Sequence, residues 1–336
     1  MVASQKASLP HRDPNVRAIG VLTSGGDAPG MNPAIRAVVR TALYHGIQVW
    51  GVREGFEGLI RGEMEPLSAR DVGGILQRGG TMLYSARSKR FLTPEGQREA
   101  IRQMNERGID GLAVIGGDGS MRGAYALHQQ GVRVVGIPAS IDNDIWGTNI
   151  SIGVDTALNT ILDAVDKLRD TASSHQRAFL IETMGRDCGY LALMAGIIGG
   201  AEMVLIPEVQ ITMEEVAEAV EDAYRRGKSH AIIIVAEGAS IDVHDLARFL
   251  DERNVGFRTR ITILGHIQRG GRPTAFDRLL ASRMGVGAAK ALAQGQSGKM
   301  VALQGRQIDL VDLAEVGQRN RRANLEYYTM ARMLAK

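Results

Sequence analysis

Short runs of apolar, mostly β-branched residues recur along the chain at 19–22, 47–52, 112–115, 132–137, 178–181, 203–206, 232–235 and 261–264. Most are followed by a glycine-rich turn and then by a stretch with helical periodicity. Uninterrupted apolar strands alternating with helices describe parallel sheets covered on both faces, an α/β architecture of doubly wound type. The chain has 336 residues. That is too long for one ordinary domain and suits two, each closing its own core. Helical patterns are clearest over 33–45, 95–107, 156–169, 213–226 and 276–293. The first has Asn32 placed to cap it and Pro33 at its first helical position.

Composition narrows the function classes. Hydrophobic residues make up 44% and charged residues 23%, as in ordinary globular proteins. Lys plus Arg is 40 against 37 for Asp plus Glu, without a basic block, so nucleic acid is not indicated. No apolar run approaches the ~18 to 20 residues of a membrane helix. Residues 1–16 read as a disordered tail whose opening lacks the apolar core of a secretory signal. The single cysteine, Cys188, excludes an intramolecular disulfide. It reads as a small core residue in a reducing, cytoplasmic compartment.

Several segments at strand ends could carry chemistry. Segment 25–32 (Gly-Gly-Asp-Ala-Pro-Gly-Met-Asn) feeds a helix N-terminus, where unpaired N–H groups suit phosphate oxygens. By itself it also reads as a tight βα connection with no ligand. Gly116-Gly117-Asp118-Gly119-Ser120 follows an apolar strand, with Ser120 able to cap the next helix. Its glycines let backbone lie against a nucleotide, and its carboxylate can hold Mg²⁺. It is not the dinucleotide fingerprint, which requires glycine where Arg122 stands. Gly227-Lys228-Ser229 is not a Walker A loop either, because Asp222 replaces the upstream glycine. Segment 138–144 (Pro-Ala-Ser-Ile-Asp-Asn-Asp) brings a hydroxyl and two carboxylates to a strand end, a place for a base; the same residues are ordinary turn formers. Arg87, Arg177, Arg186, Arg260, His266 and Arg269 include several cations beside glycines at strand ends, a pattern expected for small phosphorylated ligands.

Taken in order, segments 25–32, 116–120, 141–144, 170–177, 184–186 and 265–271 resemble the signature of the bacterial 6-phosphofructokinase family, and the likeness runs from about residue 19 to about 293. The resemblance implies phosphoryl transfer from Mg-ATP to the 1-hydroxyl of fructose 6-phosphate. Asp142 would be the base, supported by Ser140 and Asp144, with Ser140, Ile141 and Asp142 also binding substrate. Gly25, Arg87, Ser88, Gly117, Asp118, Gly119 and Ser120 would line ATP, with Asp118 on Mg²⁺, while Arg87 and Arg186 would face developing charge. Arg177, Arg260, His266 and Arg269 would hold the sugar phosphate, and Met184, Gly185 and Glu237 the sugar ring.

The same resemblance implies two lobes with the active site in the cleft between them. A nucleotide lobe would span 17–152 plus 269–318, and a sugar lobe 153–268 plus 319–336. It also implies a homotetramer in which Arg177 and Arg260 reach in from a neighbour. A second site would take ADP, GDP or phosphoenolpyruvate at Arg36, Arg40, Arg169, Glu202, Arg226, Lys228 and His230. Family members that use pyrophosphate generally carry Asp in place of Gly119 and Lys in place of Ala139, which favours ATP here. Ala139, where typical ATP-dependent members have glycine, and Tyr84 are departures. The alternatives are a pyrophosphate-dependent phosphofructokinase, a relative of NAD or lipid kinases, and a non-catalytic sugar-phosphate sensor.

Overall fold

The computed structural model describes residues 12–335. Of the tail expected over 1–16, residues 1–11 lie outside the described residues. From Arg12 onward the chain is held: the Arg12 guanidinium donates to the carbonyl oxygens of Val16 at 2.8 Å and His45 at 3.2 Å. The Asp13 N–H donates to the Ala293 carbonyl at 2.9 Å. Among the described residues the chain divides into two units, one of 12–140, 145–152 and 275–319, the other of 141–144, 153–274 and 320–335.

The chain opens the first unit with β1 (Ala18–Ser24), α1 (Met31–Tyr44), β2 (Gln48–Val52), α2 (Gly55–Arg61), β3 (Met64–Pro66), α3 (Pro94–Glu106), β4 (Gly111–Gly116), α4 (Asp118–Gln129) and β5 (Arg133–Pro138). It builds the second with α5 (Val154–His175), β6 (Arg177–Thr183), α6 (Tyr190–Ile198), β7 (Met203–Leu205), α7 (Met213–Arg225), β8 (Ala231–Ala236), α8 (Val243–Arg253) and β9 (Arg258–Ile263). It then returns to the first with α9 (Ala275–Ala293), β10 (Lys299–Gln304), β11 (Gln307–Asp312) and α10 (Leu313–Val316), and closes in the second with α11 (Leu325–Leu334).

In the first unit seven strands lie in the order β11-β10-β5-β4-β1-β2-β3. All pairings are parallel except those of the two edge strands β3 and β11. Every residue of β1 and β4 is buried, which is why both read as unbroken apolar runs. Leu22, Val52, Leu112 and Val114 on one face pack with Phe56, Leu59, Met104 and Met121 from α2, α3 and α4. On the other, α1 and α9 pack together so closely that a Cβ on Gly285 would sit 2.6 Å from Ala37 Cβ.

In the second unit four parallel strands run in the order β7-β8-β6-β9. Leu180, Leu205, Ile233 and Val235 pack with Val216 and Val220 of α7 and Leu246 and Leu250 of α8. The α/β class with mainly parallel sheets is as the apolar runs indicate.

Two helix starts differ from the sequence reading. Gly30 caps α1, and the Asn32 amide instead donates to the carbonyls of Arg78 and Gly79 at 3.1 Å while accepting the Met82 N–H at 2.7 Å. Gly117 caps α4, and the Ser120 hydroxyl donates to the Ser24 carbonyl at 3.0 Å. Both side chains satisfy tertiary partners in place of their own helix ends.

Candidate active site

In the first unit, β1 continues to β2 on one side while β4 and β5 lie on the other, so strand order reverses between β1 and β4. Open α/β sheets bind ligands outside the carboxyl ends of strands at such a point. Ser24 and Gly116, the last residues of the two strands, are partners in register. A Cβ on Gly116 would lie 2.4 Å from the Ser24 carbonyl oxygen, so only glycine fits there. Gly25 follows with φ of 85°. Its carbonyl accepts the Ser85 hydroxyl at 2.6 Å, and the Tyr84 carbonyl accepts the Thr23 hydroxyl at 2.7 Å. These bonds, with those of Asn32, fix the segment that carries the exposed Arg87 to the edge of β1.

Gly117, Asp118, Gly119 and Ser120 form the start of α4 at the same edge, where helix N–H groups and dipole favour phosphate. A Cβ on Gly119 would meet nothing within 4 Å, leaving room beside the helix start. Ser88 is differently engaged: its hydroxyl donates to Glu57 at 2.5 Å and accepts the Phe91 N–H at 3.1 Å. Among the described residues no cluster of three His, Cys, Asp or Glu could cage a metal. Asp118 nonetheless suits Mg²⁺, which commonly takes one or two carboxylates and completes its shell with water and substrate phosphates. Its carboxylate already attracts a cation, the Arg122 guanidinium at 2.5 Å.

The second unit gathers its residues at the carboxyl edge of β6, β8 and β9, where Thr183 pairs with Ala236 and Glu182 with Ile263. Met184 and Arg186 follow β6, Glu237 follows β8, and a 3₁₀ turn, Gly265–Arg269, follows β9. Gly185, at φ of 128°, turns the chain where a Cβ would come within 2.6 Å of the Cys188 carbonyl oxygen. The Glu237 N–H donates to the Thr183 carbonyl at 2.8 Å, and the Arg186 guanidinium lies 3.3 Å from the Glu237 carboxylate. Buried Gln268 joins two of these loops: its amide oxygen accepts the Met184 N–H at 3.2 Å and its nitrogen donates to Gly265 at 2.9 Å. The sequence points to no role for Gln268, although it stands within segment 265–271; that a polar residue there is fully buried has no sequence signal.

Asp142 lies among these charges. Its Oδ1 is buried without a hydrogen-bond partner. Burial pushes the carboxyl up to about 6; Asp144 and Glu237 add to the push, while Arg269 and Arg186 oppose it. A carboxylate with one uncommitted oxygen and a pKa near neutrality suits proton acceptance. Cys188 is buried, which raises its thiol to about 12 and leaves it a core residue.

Arg177 and Arg260 are not brought to this edge. Arg177 opens β6 opposite Arg258, and Arg260 pairs with Phe179 near the amino end of the same strand. Thr183 is therefore about 20 Å from Arg177 at ~3.3 Å per residue. At the amino edge of β7 and β8, Arg169 contacts His230 at 3.2 Å and Lys228 contacts Glu202 at 3.1 Å, while Arg226 pairs with Asp222 at 2.9 Å. Burial lowers the His230 pKa. Arg36 and Arg40 stand on α1 of the first unit.

Together, a phosphate-suited helix start on one sheet and a cation-flanked carboxylate on another describe a phosphoryl-transfer enzyme of the α/β class. A family model described as Phosphofructokinase matches residues 18–292, and the chain belongs to that family. It is 51% identical over 322 residues to the ATP-dependent 6-phosphofructokinase of Brevibacillus brevis, covering 95% of this chain and 100% of the relative. It is 51% identical over 321 residues to the protein of that name from Thermotoga neapolitana, with the same coverage. Among solved structures, phosphofructokinase from Saccharomyces cerevisiae superposes with a TM-score of 0.84 at 39% identity, over 90% of this chain but only 45% of the yeast chain. A pyrophosphate-dependent phosphofructokinase from Marinobacter aquaeolei shares the fold at a TM-score of 0.84 and 22% identity, over 93% of this chain and 86% of that one.

Proposed function

We propose that the chain transfers the terminal phosphoryl group of ATP to the 1-hydroxyl of fructose 6-phosphate, giving fructose 1,6-bisphosphate and ADP in glycolysis. The observation that carries this reading is Asp142, whose buried, unpartnered Oδ1 sits among the charges of Asp144, Arg186, Glu237 and Arg269. The curated relatives named for this ATP-dependent activity are matched along their whole length.

Asp142 takes the proton of the 1-hydroxyl as that oxygen bonds to phosphorus, so its position matters more than its basicity. Ser140 and Asp144 support the turn that presents it, and Ile141 contacts the substrate. Met184, Gly185 and Glu237 hold the sugar ring, and Arg269 with His266 binds the 6-phosphate. Gly25, Arg87, Ser88, Gly117, Gly119 and Ser120 line the nucleotide, and Arg87 and Arg186 face the charge that develops during transfer. Asp118 would hold Mg²⁺, which when bound neutralises charge on the transferring phosphate oxygens. Gly119 and Ala139, where pyrophosphate users generally carry Asp and Lys, favour ATP, since a carboxylate at 119 would repel its α-phosphate.

The first unit is assigned to nucleotide and the second to sugar. Arg177 and Arg260, at the amino edge of their sheet, are assigned to the 6-phosphate of a neighbouring subunit within a homotetramer. Arg36, Arg40, Arg169, Glu202, Arg226, Lys228 and His230 are assigned to an effector, a nucleoside diphosphate or phosphoenolpyruvate. No helix among the described residues is long and apolar enough to cross a membrane, and a cytoplasmic location is part of this reading. A coupled assay with fructose 6-phosphate and ATP, GTP or pyrophosphate, with and without Mg²⁺, tests the whole. Turnover should require Mg²⁺ and favour ATP; turnover with pyrophosphate alone rejects the donor, and none with any donor rejects the activity.

A further inference from the structure

Arg122 is the residue that breaks the dinucleotide fingerprint, and no role assigned above uses it. We propose that Arg122 competes with the divalent cation for Asp118 and so sets the cation concentration that the nucleotide site requires, an inference that rests on the ATP-dependent reading.

Asp118 and Arg122 are one turn apart on α4, and the guanidinium lies 2.5 Å from Asp118 Oδ2. The carboxylate is 15% exposed and the arginine 54%, so the acid is sheltered while its partner can swing into water. The arginine stem passes near Gly317, where an added Cβ would sit 3.4 Å from Arg122 Cγ. The positive end of the α4 dipole favours the acid and disfavours a cation in these opening turns, so Asp118 is what holds the guanidinium there. A divalent ion that takes Asp118 Oδ2 meets the guanidinium at the same oxygen and is opposed by its charge.

An ion pair at this spacing and exposure shifts a competing equilibrium by about twofold. Repulsion between a guanidinium and a divalent ion around one carboxylate adds to that, for a combined effect of about three- to fivefold. Arg122 thus acts through Asp118, as a positioning residue.

Mn²⁺ titrated into the full-length protein in the presence of ADP, with free ion followed by electron paramagnetic resonance, tests this. Arg122→Met should bind Mn²⁺ about three- to fivefold more tightly than wild type. Arg122→Lys, which keeps a competing cation, should stay within about twofold. In an Asp118→Asn background the substitution at 122 should no longer matter. Equal Mn²⁺ affinity in wild type and Arg122→Met overturns the proposal, as does tightening that persists without the Asp118 carboxylate. ATP-dependent turnover of wild type, measured alongside, separates the two readings. Its absence sinks the activity, whereas turnover with a Mn²⁺ affinity indifferent to residue 122 sinks only the competition.

Discussion

The Gln268 side-chain oxygen accepts the Met184 N–H at 3.2 Å, tying the loop after β6 to the turn that carries His266 and Arg269. Gln268 is 0% exposed, so its loss strands a buried N–H in a place water does not reach. Gln268→Leu should cost about 1–3 kcal/mol of stability. It should also raise the KM for fructose 6-phosphate severalfold more than that for ATP, because the proposed function assigns the loops it joins to the sugar. Parallel denaturation and steady-state kinetics decide it; an ATP-specific defect would contradict the assignment.

Asp142 links rate and stability with opposite signs. Its folded pKa of about 6 lies above the ordinary 3.8, so the folded state holds its proton more tightly than the unfolded one. That contribution is fully present below the ordinary value and is lost as pH rises through 6. At pH 8 the ionised carboxylate therefore works against the fold. Asp142→Asn should stabilise the protein by roughly 1–3 kcal/mol at pH 8, with little change near pH 4. Turnover should fall by several orders of magnitude while sugar affinity changes little. Thermal unfolding at the two pH values, beside kcat and KM, tests both halves; near wild-type turnover removes the base from this position.

The same carboxyl should give the acid limb of the pH–rate profile. With Asp142 required as carboxylate, kcat/KM should fall as pH drops through about 6 in the free enzyme. Asp144 raises this pKa and Arg269 lowers it. Asp144→Asn should therefore move the limb to lower pH and Arg269→Ala to higher pH. Arg269→Ala should in addition weaken fructose 6-phosphate binding by about 1.5–3 kcal/mol, the worth of a charged hydrogen bond. Shifts of the same direction in both variants would mean that another group is titrating.

How far such a site can be read without coordinates depends on the residue. β1 and β4 are legible because burial on both faces leaves only apolar residues, and the glycines that follow mark where backbone must turn. β9 is an edge strand with exposed Arg258 and Arg260, so its apolar run starts late and the strand begins at Arg258. β11, with mostly exposed or half-buried residues, and α6, apolar nearly all round, have no periodicity that identifies them. Asn32 and Ser120 are residue types that favour helix caps. Their side chains are instead taken by Arg78, Gly79 and Ser24, partners distant in sequence or on another strand. The convergence of Asp142, Arg186, Glu237 and Arg269 depends on strand order, which no single segment encodes.

Strand geometry also sets Arg260 apart from Asp142. Arg260 lies beside Phe179, two positions into β6, whereas Asp142 feels the charges that follow the far end of that strand. If Arg260 serves a neighbour, one defective chain can repair another. Arg260→Ala and Asp142→Asn should each be nearly inactive alone. Unfolded together and reassembled, they should recover up to about a quarter of the wild-type activity, because some mixed interfaces pair an intact base with an intact arginine. A mixture no more active than its parents would return Arg260 to its own chain or to the surface, and with it the argument for shared sites.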